Sequence, residues 1–141
     1  LTREDDYDLS VPHTINHKRS DLSRRSNIIN KSECDLFLSI HLNADPANSM
    51  KGAQVFYHSR NKENEKIAKI FQELFHEQLY SKREYKRAND LYLLNRIERP
   101  GVLLELGFLS NSSERYLLQT KDYQHKLVNV ITDGVLQYLQ S

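Results

Sequence analysis

The chain has 141 residues, of which 38% are hydrophobic and 28% charged, with a formal net charge of +1. That length holds one compact domain and not comfortably two, and the near-neutral balance argues against a nucleic-acid binder. No apolar run approaches a membrane span, and the single cysteine, Cys34, excludes an internal disulfide and a cysteine-rich zinc knuckle.

The opening "LTRED" reads as the tail of a strand, and the first residue is Leu1 rather than Met. This predicts a fragment of a longer protein, so the lack of a signal peptide says nothing about location. Residues 4–18 are polar, aperiodic and interrupted by Pro12, which predicts a long loop. A helix is expected from about Asp21 to Asn30, with Leu22, Ile28 and Ile29 on one side. Residues 35–42, "DLFLSIHL", read as a first strand with Cys34 as a buried structural thiol at its head. A turn carrying Pro46 and Gly52 leads to a second strand over 53–58.

The clearest helix follows. Ile67, Ile70, Phe71, Leu74, Phe75 and Gln78 make one stripe, Asn61 is a candidate cap, and Glu63 and Glu65 suit a positive helix N-terminus. The helix should run to about Tyr80. The basic stretch "KREYKR" over 82–87 reads as a solvated charge run, with a surface facing an anionic polymer as the alternative. "LYLLN" (91–95) reads as a short strand and "VLLEL" (102–106) as another, followed by a tight turn at Gly107. Asn111 and Glu114 have capping-box spacing ahead of a short helix. A last helix is expected from about Asp122 to Leu139, with Leu127, Val130, Ile131, Val135 and Tyr138 inward. Gly134 lies on the same stripe, where it permits close packing. Apolar strands alternating with amphipathic helices predict an α/β layer architecture.

Two residues interrupt this pattern. His41 ends the first strand on the face of Phe37 and Ser39, and open α/β sheets bind ligands at the carboxyl ends of strands. A core histidine held by backbone hydrogen bonds is the plainer explanation. Glu105 sits inside "VLLELGFL", where an unpaired charge is expensive. It is paired with an arginine such as Arg25 or Arg96, protonated, or functional. Taken together, an imidazole suited to zinc and a carboxylate suited to general-base work suggest metal-assisted hydrolysis, although a catalytic zinc wants about three protein ligands.

"DLFLSIHLNA", "KGAQVFYH" and "RPGVLLELGFLSN" resemble the zinc-dependent N-acetylmuramoyl-L-alanine amidases, hydrolases of bacterial peptidoglycan. "LSRRSNIINKSECDLFLSIHLNA" and "NEKIAKIFQELF" are most similar to the germination-specific sporulation branch. The resemblance covers essentially the whole chain. It implies a three-layer helix/mixed sheet/helix fold of the phosphorylase/hydrolase-like amidase type, here lacking the first strand–helix segment, so that residues 1–141 form the C-terminal two-thirds or more of one catalytic domain.

The family's zinc is held by two histidines and a glutamate. The resemblance makes His41 one ligand and Glu105 the catalytic glutamate. The implied reaction cleaves the amide between N-acetylmuramic acid and the stem-peptide L-alanine. The family's other two ligands precede the "LTR" segment and have no counterpart here, so the site is expected to be incomplete in this stretch.

Asn43, His58 and Arg25 are candidates for substrate binding or for orienting the ligand. His13 and His17 read as loop surface residues, and His76 and His125 as helix residues. The implied setting is extracytoplasmic, in the cell envelope or spore cortex, with peptidoglycan as substrate and an activating envelope protein as a partner. A competing reading is a non-catalytic peptidoglycan- or partner-binding domain with an incomplete metal site. A carboxylate-pair glycosidase fits poorly, because only Glu105 is well placed. An α/β sheet without one strand and helix should expose apolar surface, which predicts low stability or self-association.

Overall fold

The computed structural model describes residues 1–6 and 8–141. The first regular element is helix α1 (His17–Lys31). It begins earlier than its apolar spacing indicates, because the Asn16 side chain accepts from the Arg19 backbone N–H at 3.0 Å and so satisfies a free donor of the first turn. That turn is polar and carries no periodic signal. The long loop of the sequence reading therefore ends at Asn16 and not at Lys18, and His17 belongs to the helix. The segment before α1 is tied back onto it by Leu9 N donating to Asp21 Oδ1 and Val11 N to Ser20 Oγ, each at 2.9 Å.

Strands β1 (Phe37–Asn43) and β2 (Gln54–Tyr57) follow, then helix α2 (Glu63–Leu79), closed by Tyr80 in the left-handed conformation at φ 54°. Asn61 acts at the head of α2 by accepting from the Glu63 N–H at 3.0 Å. The basic stretch contributes a two-residue strand, β3 (Lys86–Arg87). The run 91–95 is not a strand: it forms helix α3 (Tyr92–Arg96), whose first turn is closed by Asn95 N on Leu91 O at 2.9 Å. Five apolar-rich residues do not distinguish helix from strand by period, and here packing decides, by placing Leu94 in the core.

Strand β4 (Gly101–Phe108) continues through the expected turn at Gly107. Helix α4 (Ser112–Leu118) starts at Asn111, whose side chain accepts from Glu114 N at 3.1 Å. Only that half of a capping box forms. The Glu114 carboxylate turns the other way, accepting from Gly52 N at 2.8 Å and Phe108 N at 3.2 Å. Helix α5 (Lys121–Leu139) ends the fold.

The four strands make one mixed sheet in the order β1-β4-β2-β3. β1 runs parallel to β4, β2 antiparallel to β4, and β3 parallel to β2. Side chains alternate across a strand. Val55, Tyr57, Val102, Leu104 and Leu106 meet α2 and α5 on one face, in a core with Phe71 and Phe75 at its centre. Phe37, Phe56 and Leu103 meet Leu94, Ile97 and Ile29 on the other. This is the three-layer helix/mixed sheet/helix arrangement that the sequence implied. Gly134 is the contact point of α5 on α2: a Cβ there would run into the Phe71 ring. Cys34, expected to be buried, is only partly so and flanks the second core. β1 is an edge strand, and its apolar Ile40 and Leu42 are 54% and 44% exposed.

Candidate active site

β4 is buried along its whole length except at one position, Glu105. The pairing of β1 with β4 sets His41 directly opposite Glu105. Residues in register on adjacent strands point to the same face, and the strands lie about 4.8 Å apart. The imidazole and the carboxylate therefore stand side by side at the carboxyl ends of two parallel strands. Immediately beyond them the register slips: Asn43 pairs with Phe108, so β4 carries one extra residue in a bulge that includes Gly107. Bulges of this kind turn neighbouring side chains at functional edges.

The surroundings of Glu105 remove the salt-bridge explanation. Arg25 lies 2.8 Å from Asp21 of its own helix, a close charge contact whose Nε is not aligned as a hydrogen bond. Arg96 stacks over the Tyr92 ring at 4.5 Å. Glu105 Oε2 is buried without a hydrogen-bond partner. Burial raises the carboxyl pKa above the ordinary glutamate value, and no charge offsets it. A carboxylate held this way is a stronger base than a solvated one.

His41 is not a core histidine satisfied by backbone. Its side chain faces the cleft, and Nε2 is hydrogen-bonded to Ser39 Oγ at 2.8 Å. Desolvation lowers its pKa, and the cations of Arg25 and Lys18 lower it further. The ring is thereby kept neutral, the form that binds metal.

The pair opens into a cleft of about 620 Å³ floored by Phe56 and Leu103. α1 contributes Lys18 and Leu22 to the walls, β3 contributes Lys86 and Arg87, and α3 contributes Tyr92. Asn43 lines it too, with its Oδ1 accepting from Ala44 N at 2.8 Å. Arg25 reaches the neighbouring groove that runs along Ser39, Ile40 and His41.

His58 does not join these residues. It is buried just past the end of β2, where its side chain meets Asn95 of α3, its Nδ1 accepts from Arg60 N at 3.0 Å, and its backbone carbonyl accepts from Asn64 Nδ2. The remaining histidines stay apart as well: His17 Nδ1 meets Ser10 Oγ, and His76 Nε2 donates to Arg83 O at 2.6 Å. Sequence reasoning missed Lys18 and Tyr92 as cleft residues. No local signal marks either, since only the packing of α1 and α3 over the sheet brings them there.

The donor chemistry suits zinc in part. His41 is an imidazole of the right protonation state beside an orphaned carboxylate, but among the described residues no group of three His, Cys, Asp or Glu side chains is placed to hold a metal.

An imidazole and a desolvated carboxylate paired at the strand ends of an α/β sheet are the groups that metal-assisted hydrolysis would use. The family model for N-acetylmuramoyl-L-alanine amidase matches residues 1–137. The germination-specific N-acetylmuramoyl-L-alanine amidase of Bacillus subtilis is 43% identical over 98% of this chain, which spans 60% of that relative's length. The CwlD amidase from Clostridioides difficile, solved in complex with the GerS lipoprotein, superposes with a TM-score of 0.91 at 37% identity, covering 99% of this chain and 74% of that one. An N-acetylmuramoyl-L-alanine amidase from Clostridium difficile 630 superposes with a TM-score of 0.79 at 30% identity, covering 85% and 66%. The chain belongs to the N-acetylmuramoyl-L-alanine amidase family, which is generally zinc-dependent.

Proposed function

We propose that this chain carries the catalytic glutamate and one zinc ligand of an amidase that cleaves the bond between N-acetylmuramic acid and the L-alanine of the stem peptide. The observation that supports it best is the in-register pairing of His41 with Glu105, whose Oε2 has no partner, in a chain of the amidase family. His41 is one ligand. Among the described residues no second and third ligand stand beside it, and the chain spans 60% of the length of its Bacillus subtilis relative.

Zinc, when bound there, supplies Lewis acidity toward the scissile carbonyl and the attacking water. The chain's own residues supply the rest. Glu105, desolvated and basic, takes a proton from the water as it adds to the amide carbon, then delivers that proton to the departing alanine nitrogen. Products are the free lactyl carboxylate of the glycan and a peptide with a new N-terminal amine. Ser39 holds the His41 ring in orientation through its hydroxyl. Asn43, at the bulge, is placed to hydrogen-bond the substrate.

The setting that goes with this activity is extracytoplasmic, in the cell wall or spore cortex. The Clostridioides difficile relative's complex with a lipoprotein supports an envelope protein as partner. The test, made on a protein that carries the whole family domain, is release of peptide amines from muramoyl-peptide in the presence of zinc, beside zinc content. Activity abolished in Glu105→Gln, and zinc lost in His41→Ala, support the reading. Peptidoglycan binding with no amine release would instead establish a non-catalytic wall-binding domain.

A further inference from the structure

The proposed reaction leaves Arg25 without a role, yet its placement is unusual. Lys18, Leu22, Arg25 and Ile29 recur at helical spacing along α1, and Leu22 and Ile29 belong to the sheet-facing side of the helix. Arg25 is thus a cation on an inward stripe, with its side chain only 23% exposed. A guanidinium carries five N–H donors and a charge that is costly to desolvate, so it needs partners there. Asp21, one turn earlier, is the one carboxylate in contact with it among the described residues, at 2.8 Å. That carboxylate is shared, since its other oxygen accepts from Leu9 N. The contact also leaves Arg25 Nε buried without a hydrogen bond. Among the described residues only Glu105 Oε2 is in the same condition, and Glu105 is the proposed base.

Arg25 opens onto a groove along β1 that no residue of β4 lines. Ile29, Phe37 and Leu93 form its apolar part and Ser39 and His41 its polar part, and among the described residues no carboxylate lines it. The larger cleft of Glu105 also contains His41 and Leu93, so the two meet at the imidazole. A group held at His41 therefore has Arg25 as its neighbour on the other side. That group must be anionic, because a guanidinium next to a metal-binding imidazole is repelled by the metal unless a negative charge lies between them. The groove measures about 180 Å³. At about 30 Å³ per water this admits a carboxylate and the atoms next to it, but not a disaccharide. A guanidinium fork matches a carboxylate in shape as well as in charge.

Hydrolysis of the muramoyl amide creates one such carboxylate. The water oxygen joins the lactyl carbonyl carbon, the C–N bond breaks, and at neutral pH both water protons end on the departing amine. The lactyl acid is therefore ionised as it forms. Resting on the amidase reading, we propose that Arg25 binds the lactyl carboxylate that cleavage creates, in the groove beside His41, and so holds the glycan product. The intact substrate has a neutral amide at this position, so Arg25 distinguishes product from substrate.

The experiment is calorimetric titration with N-acetylmuramic acid and with its lactyl carboxamide, which differ only in that charge. It is made without zinc, so that the metal does not itself take the acid, on this chain and on a protein that carries the whole family domain. The NMR signal of the Arg25 Nε–H is followed in parallel. A charge-assisted hydrogen bond from a partly buried guanidinium corresponds to about 10-fold in binding. Asp21 already shares this cation, so the wild type should prefer the acid by about 5- to 10-fold, with a shift of the Nε–H signal. Arg25→Gln should bring the preference below about twofold with carboxamide binding unchanged. Arg25→Lys keeps the charge without the fork and should fall between, with circular dichroism confirming the fold of each variant. Equal binding of acid and carboxamide, binding of neither by either protein, or a preference that survives Arg25→Gln overturns the site. So does a preference present in this chain and absent from the whole-domain protein, which would show the guanidinium taken by another segment. Release of peptide amines is read separately on the whole-domain protein with zinc, and its absence overturns the amidase reading whatever Arg25 binds.

Discussion

Replacing Glu105 by glutamine separates what this residue does for the reaction from what it does to the fold. The substitution keeps shape and removes charge. In the native chain Oε2 is buried without a partner on a strand that is otherwise buried throughout. A buried polar atom without a partner costs about 1–3 kcal/mol, and the partial exposure of this side chain places it near 1 kcal/mol. A neutral amide in the same place costs less than a carboxylate, so the variant should be more stable at neutral and alkaline pH. For a domain of this size that is a rise in Tm of about 2–4 °C.

The gain must depend on pH. The folded pKa of Glu105 is raised by burial, so the unfolded chain ionises first as pH rises. Native stability is then intact below the ordinary glutamate value of about 4.3 and falls as pH climbs through the raised folded value. Glutamine does not titrate. Thermal melts at about pH 4 and about pH 8 should show matched midpoints at the lower pH and a higher midpoint for the variant at the upper one. Under the proposed mechanism, amide hydrolysis by the zinc-loaded protein falls about 10²- to 10⁴-fold. A variant less stable than wild type at the upper pH, or equally shifted at both, refutes the picture of Glu105 as an uncompensated carboxylate.

Other substitutions test the packing and the placement of the site. Gly134→Ala drives a methyl into the fully buried Phe71 ring. Overpacking of about 1–3 kcal/mol outweighs the helix-propensity gain of about 1 kcal/mol, so the urea midpoint should drop, and a rise would show that α5 can move off α2. Glu114→Ala leaves the Gly52 and Phe108 amides without their acceptor. It should cost about 1–3 kcal/mol, with faster hydrogen exchange at both amides, and unchanged exchange would refute the clasp. His58→Asn keeps an acceptor near Arg60 N at a position outside the cleft. It should alter peptide hydrolysis by less than about twofold, the scale of a substitution away from a site, and a larger loss returns His58 to the reaction.

The helix stripes of α2 and α5 were legible because each pairs a 3.6-residue apolar period with a core that uses it. His41 and Glu105 were legible for the opposite reason: each is a polar residue in an apolar run, which local pattern alone does not excuse. The start of α1 was hidden because a polar first turn capped by Asn16 carries no apolar period. α3 was mistaken because a five-residue apolar run has no period long enough to read. The turn assigned to Gly107 proved to be a bulge within β4, a feature defined by the neighbouring strand's register and so invisible in the strand itself.

The amino-acid sequence by itself determined the layers, the two residues that do not belong in a dry strand, and the family motifs around them, since all of these are local in the chain. Tertiary structure decided that His41 and Glu105 are opposite one another, 64 positions apart in sequence, through the parallel pairing of β1 with β4. It also split the basic stretch, turning Arg83 inward, Lys86 onto the face of the cleft and Arg87 onto the face of Tyr57. Charge and period are properties of a segment. Which charge finds a partner, and which is left facing a substrate, depends on strands and helices that the segment meets only when the chain folds.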